Sequence, residues 1–136
     1  MGEKVNIICL NTDKFNTTAA VQQFLKYRFP ESNCLLCTSL EDLEIALRTP
    51  HHHPDIAILA VRTQKEMTHL IRMTSLLEDV KILLFLQDAD QALKDMSYKL
   101  FPRFIADETI RSDELMRIIK GLAETVENKA PVAMHG

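Results

Sequence analysis

The sequence predicts an α/β fold, a single doubly wound, five-stranded parallel sheet in the order 2-1-3-4-5 with five helices. Five short apolar runs alternate with five segments of helical periodicity, the pattern of successive βαβ units. The connections between these segments are short. The 136 residues, of which 46% are hydrophobic, suffice to bury one core.

The predicted strands are the apolar runs. They cover residues 4–10, 33–38, 56–61, 80–86 and 103–107. The third belongs to the stretch PDIAILAV, residues 54–61, and is typical of a buried parallel strand. The fourth, VKILLFL, has no polar residue after Lys81, which favours a central strand covered on both faces.

The first two predicted helices follow strands one and two. The first extends from about Thr17 to Phe29 and carries apolar side chains at helical spacing. The second follows Thr38, which lies three residues before Glu41, the spacing of a capping box.

The remaining three helices also have recognisable starts. Thr63 and Glu66 form another possible capping box, and the third helix extends from there to about residue 79. Asp88 or Asp90 caps the fourth, and the fifth begins at Ser112. We therefore predict one domain over residues 4–127, followed by an irregular tail or linker at 128–136.

Composition excludes several classes of function. The net charge of -3 provides no basic field for nucleic acid, and no apolar run approaches the ~20 residues of a membrane helix. The first residues also lack the pattern of a signal peptide. Together with the odd number of cysteines, this predicts a cytoplasmic protein without a disulfide framework.

Two cysteines have the spacing of a metal or redox motif but lie in a predicted strand. Cys34 and Cys37 are three residues apart, and side chains three apart on a strand point to opposite faces. This geometry cannot hold one metal ion between them. The histidines at 51–53 lack accompanying ligands at a standard spacing, so we predict no metal site.

Two phrases give the chain a family resemblance along residues 4–127. PDIAILAV resembles the third strand, and SDELMRIIKGL the last helix, of response-regulator receiver (CheY-like) domains. The resemblance implies the flavodoxin-like fold of that family. It also implies a role in bacterial two-component signalling.

Receivers need an acidic pair for Mg²⁺, an acceptor aspartate, a hydroxyl and a lysine at the carboxyl ends of their strands. The corresponding positions here are Asn11, Thr12, Ala60, Leu86 and Asp107, so every expected group is absent. The resemblance is therefore to a degenerate pseudo-receiver: a non-enzymatic module without a cofactor that cannot be phosphorylated on aspartate.

The resemblance also implies where such a module acts. Receivers usually contact partners or dimerise through their fourth helix, fifth strand and fifth helix. The candidate residues on that face are Tyr98, Phe104, Arg111 and Arg117. We expect a protein partner or a homodimer there, and neither nucleic acid nor a membrane.

Two other functions stay open from the sequence. Cys9, near the end of the first strand, has a position that resembles a phosphocysteine, which suggests a phosphocarrier or another thiol enzyme. A small-ligand sensor at the carboxyl edge of the sheet is the other alternative. Other basic side chains, such as Lys65 and Arg72, are interpreted as solvated helix surface.

Overall fold

The computed structural model describes residues 5–11, 23, 26–27, 33–49, 53–86, 90–107 and 109–127. Five strands form one parallel sheet in the order β2-β1-β3-β4-β5, which confirms the predicted topology. The strands are β1 Asn6–Asn11, β2 Asn33–Cys37, β3 Ile56–Val61, β4 Lys81–Leu86 and β5 Phe104–Asp107.

Four α-helices lie within the described residues: α1 Leu40–Arg48, α2 Gln64–Arg72, α3 Gln91–Ser97 and α4 Ser112–Glu127. They correspond to the second to fifth predicted helices, and 3₁₀ turns at Thr74–Leu77 and Tyr98–Leu100 follow α2 and α3. The first predicted helix, 17–29, lies largely outside the described residues, although its described members Gln23, Lys26 and Tyr27 are helical. The predicted tail also lies outside them.

The core has two layers, one on each face of the sheet. Alternate residues of β3 divide between them: Ala57, Leu59 and Val61 pack on α1, α2 and α3, whereas Ile56, Ile58 and Ala60 pack towards α4. Every residue of β3 is buried, and β4 is buried from Ile82 to Leu86. These two strands are central and covered on both faces, as the apolar runs predict.

Three helix starts show how the sequence defines the boundaries. Thr63 and Glu66 form the predicted capping box of α2: Thr63 Oγ1 accepts from the Glu66 N–H at 3.1 Å, and Glu66 Oε1 accepts from the Thr63 N–H at 3.2 Å. Asp90 caps α3 by accepting from the Leu93 N–H at 2.8 Å. The prediction for α1 is wrong by one residue. Ser39, not Thr38, is its N-cap, because β2 continues to Cys37 and the chain needs Thr38 to leave the sheet.

The predicted third helix is too long, because α2 ends at Arg72 rather than near Asp79. The Met73 N–H bonds to the Leu70 carbonyl at 2.9 Å, and a 3₁₀ turn follows. Thr74 and Ser75 favour this ending, since their hydroxyls compete for backbone groups and give them weaker helix propensity than leucine. Asp79 then adopts φ 64, a left-handed conformation that aspartate tolerates in turns.

None of the helices in the described ranges combines the length and the hydrophobicity that a membrane-spanning segment needs.

Candidate functional site

The carboxyl edge of the sheet is built from two rows of residues that pair across neighbouring strands. The first row is Asn11, Ala60, Phe85 and Ala106, and the second is Val61, Leu86 and Asp107. Side chains of residues paired in register point to the same face of a parallel sheet. The two rows therefore determine which side chains the carboxyl ends of β1, β3, β4 and β5 offer to a ligand.

The middle of this edge is apolar and packed. Ala60 is 7% exposed and lies between Asn11 and Phe85, while Leu86 is 1% exposed and belongs to the layer under α1, α2 and α3. An alanine methyl group cannot accept a phosphoryl group, and a leucine cannot donate a hydrogen bond to one. Thr12 lies outside the described residues, as do 13–22 and 87–89, the segments that follow β1 and β4.

Asp107 gives the edge a negative charge at its β5 end. Its Oδ1 accepts hydrogen bonds from the Thr109 N–H at 2.9 Å and from the Thr109 hydroxyl. These bonds lower the pKa of Asp107, and the nearby charge of Lys94 lowers it further. The carboxylate thus stays ionised at neutral pH and organises the turn into α4.

The polar groups that the structure describes at this edge do not fit the Mg²⁺ ion that the receiver fold implies. Asn11 and Asp107 are separated by β3 and β4, which is about 14 Å at the usual ~4.8 Å between strands. A single ion at 2.0–2.1 Å from its ligands cannot contact both. Among the described residues there is also no group of three or more His, Cys, Asp or Glu side chains that could hold a metal.

Cys9 is buried in the layer towards α4 and is 0% exposed. Its Sγ lies 3.8 Å from Cys34 Sγ. This contact and burial raise the pKa of Cys9 well above its ordinary value. A thiol that is inaccessible and protonated is a poor nucleophile, so the structure argues against the phosphocarrier or thiol enzyme alternative.

The other two cysteines behave as the strand geometry predicts. Cys34 packs on the layer towards α4, whereas Cys37 is buried in the opposite layer, where burial and then the charge of Asp42 raise its pKa to about 11. They lie on opposite faces of β2 and cannot bind one ion together.

The candidate interaction residues fall at the two ends of β5. Tyr98 and Phe104 lie where the chain enters β5, and they are 64% and 40% exposed. Arg111 and Arg117 lie beyond its carboxyl end and beside Asp113, with Arg111 Nη2 2.9 Å and Arg117 Nη2 4.0 Å from Asp113 Oδ2. The structure therefore brings the aromatic pair and the arginine pair to two separate places.

A third aromatic side chain, which the sequence interpretation missed, extends the first of these places. Phe101 is 84% exposed and adopts φ 51, ψ 53 at the end of the 3₁₀ turn. Its signal in the sequence is a phenylalanine directly before a proline, outside the helical stripe of Leu93, Met96 and Leu100. We call Tyr98, Phe101 and Phe104 the β5 aromatic surface.

Cavities along the helix-bearing flanks are formed by residues that the structure describes. One, about 430 Å³, lies at the amino end of β4 and includes Asp79 and Phe101. The other, about 530 Å³, lies between α1 and α2. The predicted sensor site at the carboxyl edge stays a prediction, because the segments that follow β1 and β4 lie outside the described residues.

Solved structures of receivers have the same architecture. A CheY-like receiver domain from Methanospirillum hungatei JF-1 matches with a TM-score of 0.76 at 11% identity, covering 93% of this chain and 99% of that one. A CheY-like response regulator from Mesorhizobium loti matches with a TM-score of 0.73 at 11% identity, over 88% and 99% of the two chains. The phosphorylated cyanobacterial phytochrome response regulator RcpA matches with a TM-score of 0.70 at 16% identity, over 90% and 94%.

No protein-family model matches the sequence. No curated protein matches it either. At identities this low, structural similarity establishes the fold alone. The chain thus has the CheY-like, flavodoxin-like fold of response-regulator receiver domains.

Proposed function

We propose that this chain is a signalling module with a receiver fold that is neither an enzyme nor phosphorylated on aspartate, and that it acts by binding another protein. The observation that carries the proposal is the apolar carboxyl edge, with Ala60 and Leu86 buried and an anion at Asp107. Phosphoryl transfer needs a nucleophile, cations and hydrogen-bond donors in these places. A partner must therefore recognise another part of the molecule.

The β5 aromatic surface is the best candidate for that contact. Its three rings lie within seven residues of chain and are all exposed. Exposed aromatic side chains are enriched at protein interfaces because they bury large areas when a partner covers them. Lys99 and Arg103 are exposed in the same segment, which favours a partner with an apolar patch bordered by acidic groups.

Phe101 strengthens this assignment because its left-handed conformation, although it lets the Phe101 N–H close the 3₁₀ turn on the Tyr98 carbonyl at 3.1 Å, does not require an aromatic side chain. A left-handed backbone costs roughly 1–2 kcal/mol for a residue with a Cβ, and the exposed ring recovers little of that through packing. Strained residues of this kind are concentrated at functional sites. Ring placement for a partner is a physical reason to retain phenylalanine here.

Site-specific photo-cross-linking in cells tests the proposal. A benzophenone amino acid at position 101 should give one dominant cross-linked protein, whereas the same probe at position 45 should not. Ile45 is a suitable control because it is 65% exposed on α1, away from β5. Sedimentation of the purified chain tells whether the captured partner is a second copy. Equal labelling from both positions would contradict the proposal.

A further inference from the structure

The groove between α1 and α2 carries a concentration of positive charge that has no role in the function proposed above. The cavity is about 530 Å³, and its lining residues are Glu44, Arg48, Lys65, Thr68, His69, Arg72 and Met73. Three of these side chains are Lys or Arg, and one is a carboxylate. This excess contrasts with the net charge of -3 for the whole chain.

The basic residues of α2 form one stripe. Lys65, His69 and Arg72 are spaced at i, i+4 and i+7, which places them on one face of a helix. The facing helix contributes Glu44 and Arg48, which are four residues apart. The sequence interpretation treated Lys65 and Arg72 as scattered, because the residues that complete the groove come from another helix.

The carboxylate of the groove, Glu44, already has partners within the groove. Glu44 Oε2 accepts from Arg48 Nε at 3.0 Å, and Glu44 Oε1 lies 3.5 Å from His69 Nε2. These contacts, Arg48 first, lower the pKa of Glu44. Within the described ranges, neither Lys65 nor Arg72 has an ion-pair partner.

Helix electrostatics explain only part of this arrangement. Arg48 and Arg72 end their helices, where a cation interacts favourably with the helix dipole. Lys65 lies in the first turn of α2, where a cation is unfavourable. Lys65 is exposed and solvated, and an anion in the groove would offset this unfavourable position.

We propose that the α1–α2 groove binds a small molecule that carries a phosphate or diphosphate group. The volume is within the ~300–1,000 Å³ of small-molecule sites. Arginine guanidinium groups match phosphate oxygens in pairs, and lysine adds a point charge. Met73 also lines the groove but is only 3% exposed, so the recognition we propose rests on the charged side chains.

Titration with inorganic pyrophosphate, followed by amide NMR of the intact chain, tests this site. Saturable shifts should map to α1 and α2. Lys65→Gln and Arg72→Gln should each weaken binding by roughly fivefold to tenfold, since each removes one charged contact from the phosphate. Lys120→Gln is the matched control because it removes the same charge on α4, at the opposite face of the sheet, and it should leave the affinity unchanged.

Glu44→Gln should change the affinity for pyrophosphate in the opposite direction. It removes the carboxylate that competes with the ligand for Arg48, so pyrophosphate should bind about twofold to threefold more tightly. Circular dichroism checks that each variant is folded. Three results would each overturn the proposal. The first is equal weakening of pyrophosphate binding by Lys65→Gln and Lys120→Gln, and the second is weaker binding by Glu44→Gln. The third is that the chain binds nucleic acid but does not bind pyrophosphate. These results do not depend on the β5 aromatic surface.

Discussion

The carboxyl edge of the sheet and the β5 aromatic surface use apolar side chains in opposite ways. At the edge, Ala60 and Leu86 are both buried. At the aromatic surface, Phe101 is 84% exposed on a strained backbone. The apolar side chains of the edge belong to the core, whereas those of the β5 aromatic surface are exposed to solvent.

The difference indicates which region we expect a partner to contact. A packed edge stabilises the fold and offers little to bind, while a phenylalanine left in water forgoes about 1.5–3 kcal/mol that burial under a partner would provide. The functional surface of this chain is therefore expected at the amino end of β5, away from the usual phosphorylation site.

The largest expected effect comes from introducing a hydroxyl into the apolar edge. Leu86→Thr should lower the free energy of unfolding by about 2–4 kcal/mol, because it leaves a cavity and buries a hydroxyl. Urea denaturation measures the loss. Leu36→Thr is the control, since Leu36 is 39% exposed on the edge strand β2, and its cost should stay below about 1 kcal/mol. A similar small cost at both positions would show that the edge is not packed core.

A smaller loss is expected from placing an aspartate at position 60. Ala60→Asp should destabilise the fold by about 1–3 kcal/mol at neutral pH, since it places a carboxylate beside Phe85. Burial raises the pKa of such a carboxyl in the folded state, so the penalty should shrink as pH falls through that pKa. Ala60→Asn is the uncharged control, whose stability should not follow this pH dependence. Equal pH profiles for the two variants would contradict a buried edge.

At the aromatic surface the expected stability change is near zero or favourable. Phe101→Gly should leave stability unchanged or raise it by up to ~1 kcal/mol, because glycine adopts φ 51 without strain. The same substitution should abolish recovery of the cross-linked partner when the photoprobe is moved to position 98. A large loss of stability would instead assign Phe101 a structural role.

The smallest effect concerns the turn after β5. NMR titration should give Asp107 a pKa below the ordinary value of about 3.9, and Thr109→Val should move it upward by removing the hydroxyl donor. Because the folded pKa is lowered, any stability this carboxylate contributes is present above the unfolded pKa and is lost as pH falls through the folded one. Thr125→Val, near the other end of α4, should leave the titration unchanged.

The sequence predicted the sheet well because β3 and β4 are short apolar runs whose burial decides their structure. It also located the cap at Thr63 and narrowed the next one to Asp88 or Asp90, of which Asp90 is the cap; in both caps side chain and backbone are only three residues apart. The end of α2 was harder, since Thr74 and Ser75 have only a weak preference for leaving a helix.

Two surface features could not be predicted from local sequence patterns. The left-handed conformation of Phe101 depends on how the 3₁₀ turn meets Pro102 and β5, and no residue pattern reports a positive φ for phenylalanine. The α1–α2 groove brings together Arg48 of α1 and Arg72 of α2. These two helices are separated by β3 in the sequence. Both features arise from tertiary packing rather than from local spacing.

The absence of aspartyl phosphorylation is the central claim, and beryllofluoride tests it most directly. This reagent mimics an aspartyl phosphate when an acceptor carboxylate and Mg²⁺ are present. The chain should show no change in its amide NMR spectrum with beryllofluoride and Mg²⁺, and no gain in mass after incubation with acetyl phosphate. Shifts at the carboxyl ends of β1, β3 and β5, or a phosphorylated species in the mass spectrum, would contradict the account.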